Sequence, residues 1–421
     1  MHVIWTLALA LGGVGSDEIV PWPDFRGPAG DGHAPEACEP PLRWSEDENV
    51  RWKTAIHGRG WSSPIVTRGR VWQTTADQEG HRRHVVAVDL KTGDIVFDRL
   101  LFEVEEPQFR NELNSYASPS PVANAEHVFV HFGAAGTACL DAKSGDVVWQ
   151  RRDLPCEHLM GAGSSPVLFE DLLILTFDGA DQQYLVALDS KTGETRWRSD
   201  RSTSFEKVIP DQRKAYGTPL LLEVGAGPQL VSVGAQAAMG YAPKTGEEIW
   251  RVRFNGYSMS SRPIAGDGLV FLNTGFDRPR LMAVRLGGQG DVTETHVKWV
   301  EDKGLPAITS KVLVDGRLYF MSDAGVLTCL DAATGERVFR ERIGGKICAS
   351  PLAASGRVYF FDPQGVTTVI AAGEKFELLA KNELEDGCMA SPAVVGDAML
   401  LRTKTHLYRL EAPIGAKGGQ R

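Results

Sequence analysis

Two pairs of side chains in the middle of the sequence are of types that bind metals or act in catalysis. Asp178 and Asp181 lie close together in the glycine-containing stretch 178–183, and calcium prefers several oxygen ligands held in a flexible loop. Cys156 and His158 are also near neighbours, a combination that can bind a metal or pair a nucleophile with its base. Both patterns are incomplete. The aspartates are a fragment of the EF-hand spacing, for which a plain turn is the alternative, and Cys156 and His158 have no further ligand nearby.

Other chemical motifs do not appear. The six cysteines form no CxxC, no CxxCH and no adjacent pair, so the spacings of zinc, c-type haem and thioredoxin-like sites are missing. No GxSxG, Walker or GxGxxG motif occurs in a suitable context. The formal net charge is −9 and no Lys/Arg-rich run is found, which argues against a nucleic-acid partner. We therefore assign no catalytic residue and no metal ligand.

Internal repeats predict the elements that must position these residues. One phrase consists of Asp, two residues, Thr or Ser, Gly and then an aromatic residue, as in Asp189-Ser-Lys-Thr-Gly193 followed by Trp197. Glycine accepts the positive φ of a tight turn, the aspartate accepts hydrogen bonds from the turn backbone, and the aromatic ring covers the edge between neighbouring sheets. The residues assigned to this structural role are Asp89, Gly93, Asp141, Gly145, Trp149, Asp189, Gly193, Trp197, Gly246, Trp250, Asp331 and Gly335.

A second phrase, Ser-Pro or Ser-x-Pro followed by branched apolar residues, precedes each copy of the first. The interval between copies matches the period of roughly 40–50 residues of a four-stranded propeller blade. In the third copy we predict strands at 165–169, 172–177, 184–188 and 194–198. The prolines are Pro64, Pro121, Pro166, Pro219, Pro263, Pro351 and Pro392, with Lys311 where the sixth is expected.

The repeats predict an all-β fold, an eight-bladed β-propeller of four-stranded antiparallel blades. Seven blades fill the chain from about Trp61 to Asn382, and Cys388–Leu410 supplies only three strands. The N-terminal stretch Asn49–Thr54 resembles the missing outer strand, and its pairing with the C-terminal blade would leave no open edge. Seven blades are the alternative. The predicted propeller spans 49–411, between an N-terminal segment at 16–48 and a disordered tail at 412–421.

The first residues read as an export signal. Residues 3–14 are apolar but too few to span a bilayer, and Gly13 and Gly15 occupy the −3 and −1 positions of a cut before Ser16. We predict a signal peptide at 1–15; a buried first strand is the alternative. No later stretch predicts a membrane span. The first cysteine is Cys38, so we expect no lipid anchor and a secreted or periplasmic protein.

The phrase Ala187-Leu-Asp189-Ser-Lys-Thr-Gly193-Glu-Thr-Arg-Trp197 resembles the tryptophan-docking repeat of pyrroloquinoline-quinone-like (PQQ-repeat) propellers, in the quinoprotein alcohol dehydrogenase-like superfamily. The resemblance covers Trp22 to Leu410. The opening phrase Trp22-Pro-Asp-Phe-Arg-Gly-Pro28 is similar to that of a secreted bacterial branch abundant in planctomycetes. Such motifs are specific for fold but say little about activity.

Two branches of that superfamily imply different functions. The quinoprotein dehydrogenases hold the quinone in the central channel with calcium, a catalytic Asp and usually an adjacent cysteine pair. This sequence has no such cysteine pair, and no residue can be matched to their calcium ligands or catalytic Asp. The BamB-like branch is non-catalytic and binds partner proteins, and this chain resembles it in size and repeat content.

Long loops predict where function would reside. The connections 101–115, 153–162 and 199–215 leave the outer strands of blades one to three, and in a propeller they share one face with the loop 178–183. A mixed-charge cleft on this loop-rich face would suit a peptide, a glycan or an anionic small molecule; a merely solvated loop surface is the alternative. The candidate ligand- or partner-binding residues are Arg110, Asn111, Asn114, Glu157, His158, Asp178, Asp181, Arg213, Lys214 and Tyr216.

We therefore predict a secreted, monomeric, non-catalytic scaffold that binds a protein, peptide or glycan at the loop-rich face over blades one to three, without a cofactor. The alternative is a PQQ-dependent dehydrogenase with quinone and calcium in the central channel. A metal-dependent hydrolase, resting on Asp178, Asp181 and His158 alone, has the least support.

Overall fold

Alternating apolar residues and tight turns fold each repeat into four short antiparallel strands. The computed structural model describes residues 21–413. Eight sheets follow one another along the chain, so the prediction of an eight-bladed β-propeller is confirmed. The signal peptide predicted at 1–15 and positions 414–421 of the predicted tail lie outside the described residues. None of the helices within 21–413 is long and apolar enough to cross a membrane.

The first strand of the chain belongs to the last blade, and blades one to four follow it in order. Their strands are β1 (Val50–Ala55); β2 (Ile65–Thr67), β3 (Arg70–Ala76), β4 (Arg82–Asp89) and β5 (Ile95–Glu103); β6 (Val122–Ala123), β7 (His127–His131), β8 (Thr137–Asp141) and β9 (Val147–Arg151); β10 (Val167–Phe169), β11 (Leu172–Asp178), β12 (Gln183–Asp189) and β13 (Thr195–Asp200); β14 (Leu220–Val224), β15 (Gly227–Gly234), β16 (Ala237–Tyr241) and β17 (Glu248–Arg253). A short 3₁₀ helix, Pro210–Gln212, precedes blade four.

Blades five to eight complete the ring. Their elements are β18 (Ile264–Gly266), β19 (Leu269–Asn273), β20 (Leu281–Arg285), β21 (Gly290–Asp291), α1 (Thr293–His296) and β22 (Val297–Glu301); β23 (Val312–Val314), β24 (Arg317–Met321), β25 (Val326–Asp331) and β26 (Arg337–Arg342); β27 (Leu352–Ala354), β28 (Arg357–Phe361), β29 (Val366–Ala371) and β30 (Leu378–Glu383); β31 (Ala393–Val395), β32 (Ala398–Arg402) and β33 (His406–Leu410). The strand β21 adds a fifth, parallel strand to the outer edge of blade four.

The ring closes through strands from opposite ends of the sequence. β1 pairs antiparallel with β33, with Lys53 opposite Tyr408 and Thr54 opposite Leu407. This pairing gives blade eight the same four strands as its neighbours and confirms the predicted closure. It also satisfies the backbone groups that an open edge would leave exposed.

Aromatic side chains on the outer strands dock several blades onto a turn of the next one. The Nε1 of Trp52 donates to the carbonyl of Leu90 (3.1 Å), and the Nε1 of Trp149 donates to that of Ser190 (3.0 Å). The Trp149 ring lies against Gly193, whose φ is +74°. Trp250 is different because its Nε1 donates to Gln229 within its own blade (2.9 Å). At the corresponding position, blade five contributes the strand β21 instead of a Thr-Gly turn.

A belt of hydroxyl groups surrounds the centre at the start of the inner strands. The amide of Ser63 donates to the Ser120 hydroxyl of the next blade (2.8 Å). Equivalent bonds link neighbouring blades around the ring, and the last runs from the amide of Ser391 to the Ser63 hydroxyl (3.1 Å). Arg262 interrupts the belt because it stands where the other blades have Ser or Thr. The intermediate bonds run through Ser165, Thr218, Ser310 and Ser350.

The N-terminal segment closes the channel at the end opposite the loops. Trp22 pairs with Val66 of β2, and the carbonyl of Pro23 accepts from Ala123 of β6 (2.8 Å). On the far side, the amide of Ala353 donates to the carbonyl of Gly32 (2.8 Å). The segment therefore crosses the ring from blades one and two to blade seven and forms a floor.

The docking of rings onto turns predicts a matched pair of glycine variants. Gly193 and Gly316 have nearly equal φ values, +74° and +72°, but a Cβ at Gly193 would meet Trp149 at 2.8 Å, whereas one at Gly316 would meet nothing within 4 Å. We expect Gly316→Ala to lower the free energy of unfolding by about 1 kcal/mol, because alanine is strained at positive φ even where its Cβ meets no neighbour. Gly193→Ala should lower it by about 2–4 kcal/mol, because the ring is also displaced. Urea unfolding of both variants measures the difference, and equal losses would contradict the docking interaction.

Candidate functional site

A cavity of about 380 Å³ lies at the centre of the loop-rich face. Residues of the hydroxyl belt, including Ser63, Ser165 and Ser391, line its lower part, and Phe25 of the N-terminal segment contributes to its floor. Within the described residues, the cavity is therefore a funnel that opens toward the loops. Its upper wall is largely apolar and aromatic, with the side chains of Trp61, Leu113, Met160, Tyr216, Tyr257, Phe276, Ile308 and Met389.

The wall carries few charged groups. Among the described residues that line the cavity, Asp211 and Lys214 are the charged ones, and they form an ion pair with each other. Lys214 is fully buried, also donates to the carbonyl of Asp211, and lies 5.5 Å from the centre of the Tyr257 ring. Its charge is thus compensated within the protein.

Four of the predicted binding residues line this cavity. They are Asn111, Asn114, Lys214 and Tyr216. Asn114 Nδ2 donates to the carbonyl of Met160 (2.8 Å), and the hydroxyl of Tyr216 donates to the carbonyl of His158 (2.9 Å). The Asn114 bond joins the first long loop to the second, and the Tyr216 bond joins the third long loop to the second. Both residues therefore also hold the loops in position.

The remaining predicted residues do not line this cavity. Arg110 donates to the carbonyls of Asn111 (3.3 Å) and Asn114 (3.2 Å), and Arg213 donates to the carbonyl of Val208 (2.7 Å). Both guanidinium groups therefore stabilise their own loops. The side chain of Glu157 is exposed. Lys214 lies in the cavity wall with its ammonium group paired to Asp211.

The aspartates of the calcium-like fragment do not face a common site. Asp178 is buried and forms a two-bond ion pair with Arg201, with distances of 2.9 Å from Nε and 2.6 Å from Nη2. The carboxylate of Asp181 accepts from the amides of Glu157 (2.7 Å) and Gln182 (2.8 Å). The structure thus supports the alternative of a turn, since both carboxylates already satisfy protein donors.

Cys156 and His158 are adjacent but are not arranged as a nucleophile and its base. The Nε2 of His158 accepts from the amide of Ala134 (3.1 Å), so Nδ1 carries the proton and faces the Cys156 sulfur at 3.7 Å. Burial lowers the pKa of His158 to about 4. Burial also raises the pKa of the Cys156 thiol far above its usual value. Both groups are therefore neutral near pH 7.

Sequence reasoning missed four exposed apolar side chains in the connections of the loop-rich face. Phe109 is 69% exposed, Leu113 45%, Ile209 59% and Phe276 59%. They come from the first and third long loops and from the connection between β19 and β20. Large apolar residues in otherwise polar loops were the signal that could have identified them.

A smaller cavity of about 210 Å³ lies between the first two long loops and includes Phe109, Arg83 and His158 in its wall. Arg83 is buried, yet its Nε and Nη1 have no hydrogen-bond partner among the described residues. Its guanidinium carbon lies 4.4 Å from the centre of the Tyr116 ring. Burial lowers the pKa of Arg83 to about 10, because a desolvated cation lacks full compensation.

Cations also surround the floor beneath the central cavity. Arg26 donates to the carbonyl of Lys311 (2.6 Å), and Arg262 binds the carboxylate of Asp24 (3.0 Å). Lys311 Nζ donates to Ser261 (3.0 Å). Burial, reinforced by the charge of Arg26, lowers the pKa of Lys311 to about 7. Arg262 stands where the other blades have Ser or Thr, and its guanidinium anchors the N-terminal segment through Asp24 and the carbonyl of Phe25.

Solved structures show the same architecture. The chain is similar to BamB from Moraxella catarrhalis, with 13% identity and a TM-score of 0.60 over 86% of this chain and 99% of that one. It is also similar to the quinohemoprotein alcohol dehydrogenase from Comamonas testosteroni, with 12% identity and a TM-score of 0.63 over 94% of this chain and 81% of that one. A europium-containing methanol dehydrogenase has 12% identity and a TM-score of 0.61, over 92% of this chain and 88% of that one. At such identities the likeness concerns the fold alone.

Sequence comparison gives the family. The sequence has no significant match among curated proteins. Residues 43–218, 181–310 and 241–376 match the model of a family described as outer membrane protein assembly factor BamB. These matches cover most of the propeller and confirm the resemblance inferred from the repeats, whereas the planctomycete branch stays a prediction. The chain therefore belongs to the BamB family of PQQ-repeat β-propellers.

Proposed function

We propose that the protein is a non-catalytic scaffold that binds a polypeptide partner at the loop-rich face, across the mouth of the central cavity. The observation that carries this proposal is the group of four exposed apolar side chains, Phe109, Leu113, Ile209 and Phe276. Burying apolar surface contributes about 25 cal/mol per Å² to association. Large exposed apolar side chains grouped on one face are typical of interaction sites.

The shape of the site supports an inserted side chain. Leu113 and Phe276 belong to the wall of the central cavity, so the apolar surface continues from the mouth into the funnel. Below it, the hydroxyl belt offers polar groups to a backbone or side chain that reaches the floor. Aliphatic residues such as Leu113 and Ile209 favour a peptide over a glycan, because a glycan presents mainly hydroxyl groups to its binding site.

Arg83 supplies a polar contact beside this apolar surface. Its cavity also includes the exposed Phe109, so one partner can reach both residues. A carboxylate entering the cavity would give the guanidinium, whose Nε and Nη1 have no hydrogen-bond partner among the described residues, a charge-assisted hydrogen bond. The proposed partner therefore combines apolar side chains with an acidic group. We propose further that the protein acts in the periplasm or outside the cell, as the signal-like residues 1–15 suggest.

The apolar mouth predicts a change in peptide binding. A phage-displayed library of random linear peptides, panned on the purified protein, should yield sequences rich in apolar and acidic residues. We expect the double variant Leu113→Ser/Phe276→Ser to bind the selected peptides at least tenfold more weakly by fluorescence polarisation. The matched control is Val148→Ser/Val300→Ser, which removes similarly exposed apolar side chains from outer strands. Equal losses in the two double variants, or no enrichment of peptides, would refute the proposal.

The incompletely compensated charge of Arg83 predicts opposite effects on stability and binding. Arg83→Met keeps a long apolar side chain but removes the buried charge, and it should raise the free energy of unfolding by about 1 kcal/mol. The same variant should bind the selected acidic peptides several-fold more weakly. The control Arg152→Met removes a more exposed guanidinium from the same cavity. A destabilised Arg83→Met variant with normal peptide affinity would show that the charge is needed only for the fold.

The quinone and calcium of the dehydrogenase branch do not fit the central cavity. Calcium needs several oxygen ligands, whereas Asp211 is the lining carboxylate within the described residues and already binds Lys214. The described cysteines form no disulfide bond. Cys348 lies in the cavity wall, and no second cysteine lines the cavity beside it. No reaction through a quinone is therefore derived for this chain.

This mismatch predicts the outcome of a reconstitution experiment. Purified protein incubated with pyrroloquinoline quinone and CaCl₂, then passed through a desalting column, should retain no quinone absorbance and should not reduce a redox dye with an alcohol as substrate. A known quinoprotein apoenzyme is the positive control. Stoichiometric retention of the chromophore would overturn the non-catalytic assignment.

A further inference from the structure

A cluster of two histidines and one aspartate lies away from the cavities, at the seam between blades eight and one. His57 Nε2 lies 3.0 Å from Asp98 Oδ2, and His84 Nδ1 lies 3.0 Å from Asp98 Oδ1. The two imidazole rings meet edge to face, with centroids 4.8 Å apart. Among residues 21–413 this is the place where three side chains of metal-ligating type converge, with their ligand atoms within 4.8 Å of one another.

The backbone holds these side chains in position from three separate elements. His57 follows β1, His84 lies in β4 and Asp98 lies in β5. The carbonyl of His57 accepts from the Thr75 hydroxyl, and the amide of Arg59 donates to the carbonyl of Ala76 (2.7 Å). The segment that leaves β1 is thus fixed against blade one before any ligand binds.

The spacing is close to that of a metal centre. Zinc binds imidazole nitrogen and carboxylate oxygen at about 2.0–2.2 Å, so neighbouring ligand atoms of a tetrahedral site are about 3.4 Å apart. The nitrogen-to-oxygen distances here are 3.0 Å, and small side-chain rotations would open a central position. His57 and Asp98 are partly exposed, which leaves room for water as a fourth ligand.

We propose that His57, His84 and Asp98 bind one divalent transition-metal ion, with Zn²⁺ as the representative ion. Two imidazoles and one carboxylate suit zinc and its neighbours, whereas magnesium and calcium prefer oxygen ligands. The ion replaces the hydrogen bonds that now join the three side chains. It links the segment following β1 to two strands of blade one, and therefore clamps the seam beside the closure of the ring.

The experiment measures metal binding directly, without reference to any activity of the protein. Protein freed of metal with a chelator is titrated with Zn²⁺ by calorimetry and with Co²⁺ by absorbance. We expect one site per chain, a visible Co²⁺ band typical of nitrogen and oxygen ligands, and a higher melting temperature with Zn²⁺. His57→Gln, His84→Gln and Asp98→Asn should each weaken binding at least tenfold and abolish the rise in melting temperature.

The control variant is His81→Gln, which removes an exposed histidine near the cluster whose Nδ1 contacts the carbonyl of Val104 (2.9 Å). It should bind Zn²⁺ like the unchanged protein. Circular dichroism spectra of all variants establish that they are folded before titration. The proposal is overturned if the unchanged protein binds no Zn²⁺, or if its affinity is the same in the His57 and His84 variants.

Discussion

The pairing of β1 with β33 is the interaction on which the ring depends, because it joins two strands that are nearly the whole chain apart. The other seven blades are built from strands consecutive in sequence, apart from the two-residue β21. Blade eight alone needs the N-terminal strand. Closure also brings Trp52 onto the turn of blade one through its bond to Leu90. A ring without this pairing would expose two sheet edges and lose one aromatic docking contact.

Closure also shapes the central cavity, which is walled by inner strands and by the N-terminal segment. The hydroxyl belt fixes the inner strands at one height, while the N-terminal segment blocks the opposite end with Phe25 directed at the cavity. Within the described residues, the central cavity is therefore open toward the loop-rich face. There the three long loops are joined by hydrogen bonds such as that of Tyr216 to the carbonyl of His158. These bonds hold the loops, and the apolar side chains that they carry, in fixed positions.

The repeats allowed the blades and the closing strand to be predicted because each blade is specified by local signals. The strands predicted at 165–169 and 172–177 are observed at Val167–Phe169 and Leu172–Asp178. The site was harder to predict, since its contacts are distant in sequence and do not repeat. Asp178 is paired with Arg201 and Lys214 is packed in a wall, and neither fact can be inferred from loop position. The floor was missed for the same reason, since Arg262 reaches Asp24 across a large separation in sequence.

The separation of β1 from β33 has a consequence for biosynthesis. At about 5–20 residues per second, β1 emerges tens of seconds before its partner is made. During that interval the strand has no sheet to join and is open to intermolecular pairing. Its own sequence limits this hazard, because Arg51 and Lys53 place positive charges along the waiting strand. In the finished ring, Lys53 forms ion pairs with Glu46 (2.9 Å) and Glu385 (3.0 Å), so the charge that opposes intermolecular pairing of the free strand is partnered in the completed fold.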